Sequence, residues 1–515
     1  MLTFIMGKLA TAFKRVSIAS ATALTGIYAY DQLFNNKVIS RTCYAYYKTI
    51  VIASDYKLNF KEGKDIAALH ERNALRLYNL ITRNKGLYIK IGQSIAIQGG
   101  MLPAPYRTLL SKLYDDAPQD TWEQCENTLA SELGNDLGRV FSHIDPNAVA
   151  SASIAQVHKA KLLTGEDVAV KIQHADIEHS AKWDLGTYKL LMWTFDRFVF
   201  KMPMYFIGKY IADQVLLETD FRIEMQNANI MRKLVTNDNE LGDKVYIPKV
   251  YEAYSGKRVM VMEWIDGVSL SKIDEVRAEK YDINRTLSSV FKVLTKEAFE
   301  WGVVHCDPHP GNWILRRKNG KEQLVMLDHG LYVFLNENLR TEYAKLWYAM
   351  FKRDMNEITR ITQKWGFGDP KMFASATMIQ KFDGTEKRNF EDDKRDAERF
   401  RSFLKDTEKI PLELIFVGRT QRILQGLNVM YGSPVNRINI LVEEAFKVAK
   451  PEYTNDILPI RIIKRVFNWC YKETIMSAST LFHSFVRLLY FFMRDSPDEN
   501  FEETMQKGGI TLLNG

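Results

Sequence analysis

The chain has 515 residues, too many for one small core, so two or more structural units are expected. Its composition is globular, with 46% hydrophobic and 26% charged residues, and a formal net charge of +7 is mild for this length. Without a long Lys/Arg run, nucleic acid is not an expected partner. Four cysteines (Cys43, Cys125, Cys306, Cys470) with no Cys-x-x-Cys pair argue against a structural zinc site or a disulfide framework.

The first thirty residues carry Lys8, Lys14 and Arg15, many Ser and Thr, and no acid before Asp31. That pattern resembles a mitochondrial targeting segment. The uncharged stretch Val16–Tyr30 falls short of the roughly 20 residues a bilayer span needs. A cleaved presequence and a retained anchor both stay open, and membrane association is the expectation common to them. Residues 31–60 read as a connector. From Asp65 to about Ile97, Ile66, Leu69, Leu75, Leu77, Leu80 and Ile81 recur at helical steps. Gly99-Gly100 and Pro103-x-Pro105 break that pattern. A second helix follows from about Tyr106, and Asp120-Thr121 offers a cap for a third.

Between Val149 and His174 the period changes. Ile154–Lys161 and Asp167–Gln173 read as strands around a Thr164-Gly165 turn. Helical patterning resumes from about Asp176 to Asn229, strands return at Lys244–Glu252 and Lys257–Glu263, and beyond Leu335 the chain reads as almost wholly helical. Asp383–Lys409 is a charged run expected to be a solvated helix or loop. Ile475–Met493 reads as a buried or amphipathic helix rather than a span, and Arg461, Lys464 and Arg465 before it leave a membrane-facing role open.

The stretch richest in chemistry is His305-Cys306-Asp307-Pro308-His309-Pro310-Gly311-Asn312, followed by Asp328-His329-Gly330. Phosphoryl transfer from a metal nucleotide needs one acid beside the nucleophile, with an amide and a second carboxylate to hold Mg²⁺ on the phosphates. Trp313-Ile314-Leu315 and Gln323–Leu327 flank Asn319-Gly320, a favoured turn pair, so a hairpin is predicted to fold Asn312 back toward Asp328. His305, Asp307 and His309 alternate, but Pro308 and Pro310 disfavour a strand, so His305 is expected to be structural and His309 to orient the loop. Cys306 has no assignable triad partners and is not read as a nucleophile.

Other parts fall in kinase order. Val168-Ala169-Val170-Lys171 ends the second predicted strand, where a lysine can reach nucleotide phosphates once a glutamate fixes it. Spacing alone leaves Glu218 and Glu224 in competition for that glutamate. A strand ending in Met262-Glu263-Trp264 suits an adenine-pocket wall. In place of a Gly-x-Gly-x-x-Gly loop the chain has Ala150-Ser151-Ala152-Ser153-Ile154-Ala155, and no Gly-x-x-x-x-Gly-Lys-Ser/Thr loop occurs.

Together these residues resemble the UbiB/aarF-domain-containing atypical kinase family, nearest to its mitochondrial aarF-domain-containing kinase 1 type. Lys90-Ile91-Gly92-Gln93 is similar to the family's Lys-x-Gly-Gln motif. Ala150–Ser153 with Gln156-Val157-His158 is similar to its Ala-rich loop, and Glu218-Thr219-Asp220 to its Glu-x-Asp motif. Glu224 matches the glutamate that pairs with the strand lysine. His305–Asn312 and Asp328–Tyr332 match the catalytic and metal motifs. The likeness covers about residues 60 to 440. Ser151 departs from the alanine of the loop, and Ala155 stands where many members have glycine, which bears on nucleotide preference.

The resemblance implies an α+β, atypical bilobal protein-kinase-like fold. A targeting segment or anchor (1–30) would precede an N-terminal helical extension (31–145), a kinase-like N-lobe with inserted helices (146–266) and a helical C-lobe (267–515). It implies ATP and Mg²⁺ as cofactors. Asp307, Lys171 and Glu224 would be catalytic. Ala150, Ser151, Ala152, Ser153, Lys171 and Glu263 would contact nucleotide, and Asn312 and Asp328 the metal. Lys90, Gly92, Gln93, Glu218 and Asp220 would be regulatory, with Lys90 near Glu218 and Asp220 in space a protein substrate would use.

The expected activity is that of an ATP-dependent phosphotransferase or ATPase. It would be tied to a membrane lipid or small lipid-like molecule, at the mitochondrial inner membrane, in lipid or quinone homeostasis; no protein partner is assigned. A conventional protein kinase is disfavoured. Cys306 replaces the usual arginine, and Leu331–Phe334 runs into a helical pattern from about Glu337 with no Ala-Pro-Glu and no long activation segment. A nucleotide-binding scaffold is disfavoured because Lys171, Asp307, Asn312 and Asp328 are all present.

Overall fold

The computed structural model describes residues 25–33, 37–97, 103–114, 119–194, 205–377, 408–449 and 458–493, with a few single positions between them. The N-terminal segment up to residue 21, Gly99-Gly100 and nearly all of the charged run 383–409 lie outside the described residues.

Among the described residues up to Leu133 the chain is mainly helical: α1 (Val38–Asn59), α2 (Ile66–Asn84), α3 (Leu87–Ile97), α4 (Ala104–Leu110) and α5 (Trp122–Leu133). Polar caps set the starts of α2 and α5. Asp65 accepts the amide of Ala68 at α2, and Thr121 with Gln124 forms a reciprocal capping box at α5, as the Asp120-Thr121 pair predicts. One expectation fails here. Residues 31–60 are no connector, because α1 occupies most of them. The stretch from Asp65 to Ile97 is helical as expected, in two helices that break where Lys85 and Gly86 both take positive φ (56° and 52°). At Gly86 a Cβ would also stand 3.2 Å from the Arg41 guanidinium.

Strands β1 (Phe141–Ser151), β2 (Ala155–Leu162) and β3 (Asp167–Gln173) follow, the last two close to prediction. Most of β1 was unforeseen. Its mostly exposed side chains and its Asp145-Pro146-Asn147 run look like a turn, and they are tolerated because β1 is the edge of a sheet ordered β1-β2-β3-β5. Helices α6 (Ile177–Thr194), α7 (Tyr205–Leu217) and α8 (Phe221–Thr236) come next. The strand expected at Lys244–Glu252 shrinks to β4 (Val245–Tyr246), because Pro248 cannot donate to a ladder. After β5 (Val259–Glu263) and β6 (Val268–Ser269) come α9 (Ile273–Ala278) and α10 (Ile283–Lys296). Helix α10 passes into a π turn over Glu297–Trp301, which ends at Gly302 in the left-handed region. Strands β7 (Val303–His305), β8 (Trp313–Lys318), β9 (Lys321–Met326) and β10 (Tyr332–Phe334) flank Asp307, Asn312 and Asp328; β4-β9-β8-β6 form a second sheet and β7 pairs with β10.

From Glu337 the described residues are mainly helical, as predicted: α11 (Glu337–Lys352), α12 (Met355–Lys364), α13 (Pro370–Thr377), α14 (Glu413–Met430), α15 (Arg437–Val448) and α16 (Leu458–Met493). Helix α16 is not simply buried, since Ile463, Phe467, Trp469 and Leu481 are well exposed. Among the described residues no helix is long and apolar enough to cross a membrane.

The chain forms two compact units. The first comprises the described residues up to 135 with 145–158 and 171–219; the second comprises 136–144, 159–170 and the described residues from 220 onward. The boundary passes through β1, β2 and β3. In the first unit Ala45, Leu80, Ile81, Tyr88, Leu110 and Leu191 pack one core. In the second, α10 buries Leu287, Val290, Phe291 and Leu294 along one stripe, the spacing of an amphipathic helix.

Candidate nucleotide and metal site

The hairpin is the local structure from which the second unit's site is built. Strands β8 and β9 pair antiparallel from Trp313↔Met326 to Lys318↔Lys321. Asn319 (φ 53°) and Gly320 (φ 75°) supply the two positive-φ positions that such a two-residue connection requires. At the other end Leu327 donates its amide to the Asn312 carbonyl at 2.9 Å, and Asn312 Nδ2 donates to Asp328 Oδ2 at 3.2 Å. The predicted approach of amide and carboxylate is present. Two hard oxygen-bearing groups fit Mg²⁺, which usually takes one or two protein ligands together with phosphates.

Asp307 follows β7, whose His305 lies opposite Tyr332 of β10. His305 is buried with its ring 4.9 Å from that of Tyr332, and burial holds its pKa below the usual value, so it is a neutral packing residue. Its amide donates to Glu297 Oε2 at 3.0 Å. Burial pushes the Glu297 carboxyl well above the usual range and so favours its protonated form. His309 Nδ1 accepts the Gly311 amide at 3.2 Å and so shapes the loop, as expected. Burial likewise drives the Cys306 thiol far up, which removes it as a nucleophile.

A residue that sequence reasoning missed touches Asp307. Arg419 of α14 puts Nη2 3.0 Å from Asp307 Oδ2, with only 1% of the residue exposed. The next residue, Thr420, donates its hydroxyl to the His305 carbonyl at 2.7 Å. An arginine inside a buried helical stretch was the one available signal, and nothing in the sequence tied it to a loop more than a hundred residues earlier.

Glu224 lies on α8, buried, in the same unit. A Cβ on Gly330 would stand 3.5 Å from Asp328 Oδ1 and 3.7 Å from Glu224 Oε2, so both carboxylates flank Gly330. One turn along α8, Asn227 donates to the His329 carbonyl at 3.0 Å. Asp220 caps α8 through the Arg222 amide and pairs with the Arg222 guanidinium at 2.6 Å, contacts that hold its carboxyl below the usual range. Glu263 ends β5, where its Oε2 accepts the Tyr246 hydroxyl at 2.5 Å.

In the first unit, Lys90 Nζ pairs with Glu218 Oε2 at 2.8 Å. Gly92 is there for packing: a Cβ would fall 2.5 Å from Leu113 Cδ1 and 2.9 Å from Ile81 Cδ1. Gln93 donates to the Leu113 carbonyl at 2.9 Å. Each residue of this motif thus has its own task, in charge pairing, close approach or loop tethering. Lys171 is half-buried on β3.

The Ala-rich segment turns from β1 to β2, with Ala150 and Ser151 still in the strand and Ala152 and Ser153 in the turn. Ala152 donates its amide to the Ala155 carbonyl at 2.8 Å. His174, another missed residue, places Nε2 3.0 Å from the Ala152 carbonyl and Nδ1 3.4 Å from Asp120 Oδ1. Asp120 in turn accepts the Ala175 amide, and Gln156 accepts the Asp120 amide at 2.7 Å. Burial lowers the His174 pKa, but Asp120 and the Ala152 carbonyl outweigh it and leave the value raised.

The ABC1 atypical kinase-like domain profile matches residues 112–362, from just before α5 to α12. An ABC1 family protein of Schizosaccharomyces pombe is 40% identical over 460 residues, 86% of this chain and 84% of that protein. The ABC1 family protein lscO of Purpureocillium lilacinum is 34% identical, covering 83% of this chain and 80% of its own length. AarF domain-containing protein kinase 1 of Gallus gallus is 31% identical over 70% of each chain. With a kinase-like arrangement of N-terminal helices, β-sheets and a mainly helical C-terminal part, this chain belongs to the ABC1/UbiB atypical kinase family.

Proposed function

We propose that this protein is a Mg²⁺- and ATP-dependent phosphotransferase or ATPase whose acceptor or activator is a small or lipid-like molecule at a mitochondrial membrane. The observation that carries the reading is the Asn312–Asp328 contact at 3.2 Å, set by the hairpin that directly follows the Asp307 loop. In this reading Asn312 and Asp328 hold Mg²⁺, which when bound neutralises charge on the phosphates. Asp307 orients the attacking hydroxyl or water and accepts its proton, an effect of about 10²–10⁴-fold. Lys171 is the phosphate-contacting lysine, and Glu224 takes the catalytic glutamate's role. The turn Ala150–Ser153 and the end of β5 at Glu263 receive the nucleotide. Lys90, Gly92, Gln93, Glu218 and Asp220 regulate access.

Two observations favour a small or membrane-bound acceptor over a peptide. Strand β10 ends at Phe334 and α11 starts at Glu337, leaving no room for a long activation segment between them. Helix α16 exposes apolar side chains, Phe467 by 68% and Ile463 by 66%, as surfaces that meet lipid do. The basic, acid-free first thirty residues support the mitochondrial, inner-membrane assignment, and lipid or quinone homeostasis is the role we infer. A nucleotide-binding scaffold that holds nucleotide without turnover is the alternative reading.

Nucleotide binding and ATP hydrolysis, measured with and without anionic-lipid vesicles for the wild type, Asp307→Asn and Asp328→Asn, test this. Loss of hydrolysis in both variants, with lipid raising the wild-type rate, is expected. Binding with hydrolysis unchanged in both would give the site to the scaffold, and phosphorylation of a generic peptide would restore the protein-kinase alternative.

A further inference from the structure

Asp307 is flanked in sequence by a buried thiol, Cys306, where many protein kinases place an arginine, so no cation precedes it in the chain. The structure supplies one from elsewhere. Arg419 reaches Asp307 Oδ2 at 3.0 Å, Thr420 binds the His305 carbonyl at 2.7 Å, and Gln421 donates to Tyr343 Oη of α11 at 2.8 Å. Three successive residues of α14 thus grip the reactive carboxylate, the backbone that carries it, and the neighbouring helix. Removing a guanidinium from water is costly unless a counter-charge compensates it, so an arginine this deeply buried needs Asp307 as much as Asp307 uses the arginine. Helix α14 starts at Glu413, past the end of the matched kinase-like stretch at residue 362. The C-terminal helices therefore contribute to the catalytic loop and are not an appendage to it.

We propose that Arg419 is the positioning residue for Asp307, with α14 acting as an outside brace that holds the catalytic carboxylate in one orientation. The inference rests on the phosphoryl-transfer reading above. An ion pair on Oδ2 restrains that oxygen beside the guanidinium, so the carboxylate is held in place when nucleotide and acceptor arrive, the kind of placement whose loss slows turnover more than it weakens binding.

The test uses the full-length protein and four variants: Arg419→Lys, Arg419→Met, Asp307→Asn and the double variant Asp307→Asn/Arg419→Met. We expect Arg419→Met to lower the kcat of ATP hydrolysis about ten- to a hundredfold while nucleotide Kd stays within about twofold, and Arg419→Lys to recover part of the rate. Adding Arg419→Met to Asp307→Asn should cause no further loss of kcat, because the brace has nothing left to orient. An unchanged kcat in Arg419→Met overturns the proposal, and so does a loss that multiplies with that of Asp307→Asn. If Arg419→Met fails to fold, Arg419→Lys decides: reduced kcat with wild-type thermal midpoint and Kd supports the brace, and wild-type kcat overturns it. If wild type and Asp307→Asn turn over alike, the phosphoryl-transfer reading fails by itself. The pair is then judged from thermal midpoints, where non-additive shifts among the variants support the Asp307–Arg419 coupling and additive shifts overturn it.

Discussion

Lys90 Nζ stands 2.8 Å from Glu218 Oε2, and neither side chain has more than about a tenth of its surface in water. Truncating one member leaves the other charge buried alone, which costs about 3–5 kcal/mol. Lys90→Ala is therefore expected to lower the urea midpoint strongly. Replacing both members, as in Lys90→Met with Glu218→Leu, should return most of the loss, because paired apolar groups of similar volume need no counter-charge.

Gly92 lies against two buried side chains. A methyl at that position would sit 2.5 Å from Leu113 Cδ1 and 2.9 Å from Ile81 Cδ1. Gly92→Ala is expected to destabilise by about 1–3 kcal/mol through overpacking, despite the better helix propensity of alanine. Combining it with Leu113→Ala should cost less than the sum of the two single changes, as read by chemical denaturation.

His174 carries a pH signature. Its pKa is raised in the folded protein, so its contribution to stability is fully present below the ordinary value of about 6.5 and is lost as pH rises through the folded value. Unfolding free energies measured from pH 5.5 to 8.5 should fall along that limb in the wild type and lose the component in His174→Gln. Because Nε2 bonds the Ala152 carbonyl, His174→Ala should also weaken nucleotide binding several-fold.

Glu297 behaves in the same direction for a different reason. Burial raises its pKa, so the folded state binds a proton that the unfolded chain releases above about pH 4.3, and stability falls as pH rises from there toward the folded value. Glu297→Gln keeps an acceptor for the His305 amide without an ionisable group. It should match wild type within about 0.5 kcal/mol at acid pH, below about 4.3, and become the more stable of the two as pH rises, with that pH slope gone. Glu297→Leu should cost about 1–3 kcal/mol by stranding the buried amide. Thermal unfolding across pH separates these outcomes.

Much of the candidate site was legible because its geometry is local. The Asn319-Gly320 turn determines where Asn312 and Asp328 meet, and the apolar runs on either side name the strands. Lys90 and Glu218 were joined only through the family motif, since nothing in their separate surroundings links them. Strand β1 escaped notice because an edge position tolerates Asp145-Pro146-Asn147, and α1 because its apolar side chains sit among aromatics and bases without a clean stripe. Arg419 and His174 were missed for another reason. Their tasks are contacts with segments distant along the chain, and a single sequence carries no mark of such contacts.

The hairpin between Asn312 and Asp328 also bears on which length changes the protein can accept. Six backbone pairs and a two-residue turn connect the two groups. An inserted or deleted residue in either strand would shift the register by one and swing every later side chain, Asp328 included, to the opposite face. Substitutions at the exposed hairpin tip, such as at Lys318 and Lys321, leave the count between the amide and the acid unchanged and keep the pairing. Spacing, more than residue identity along the strands, decides whether the amide and the acid meet, and a shift of one would part them while leaving both motifs intact to any reader of the sequence.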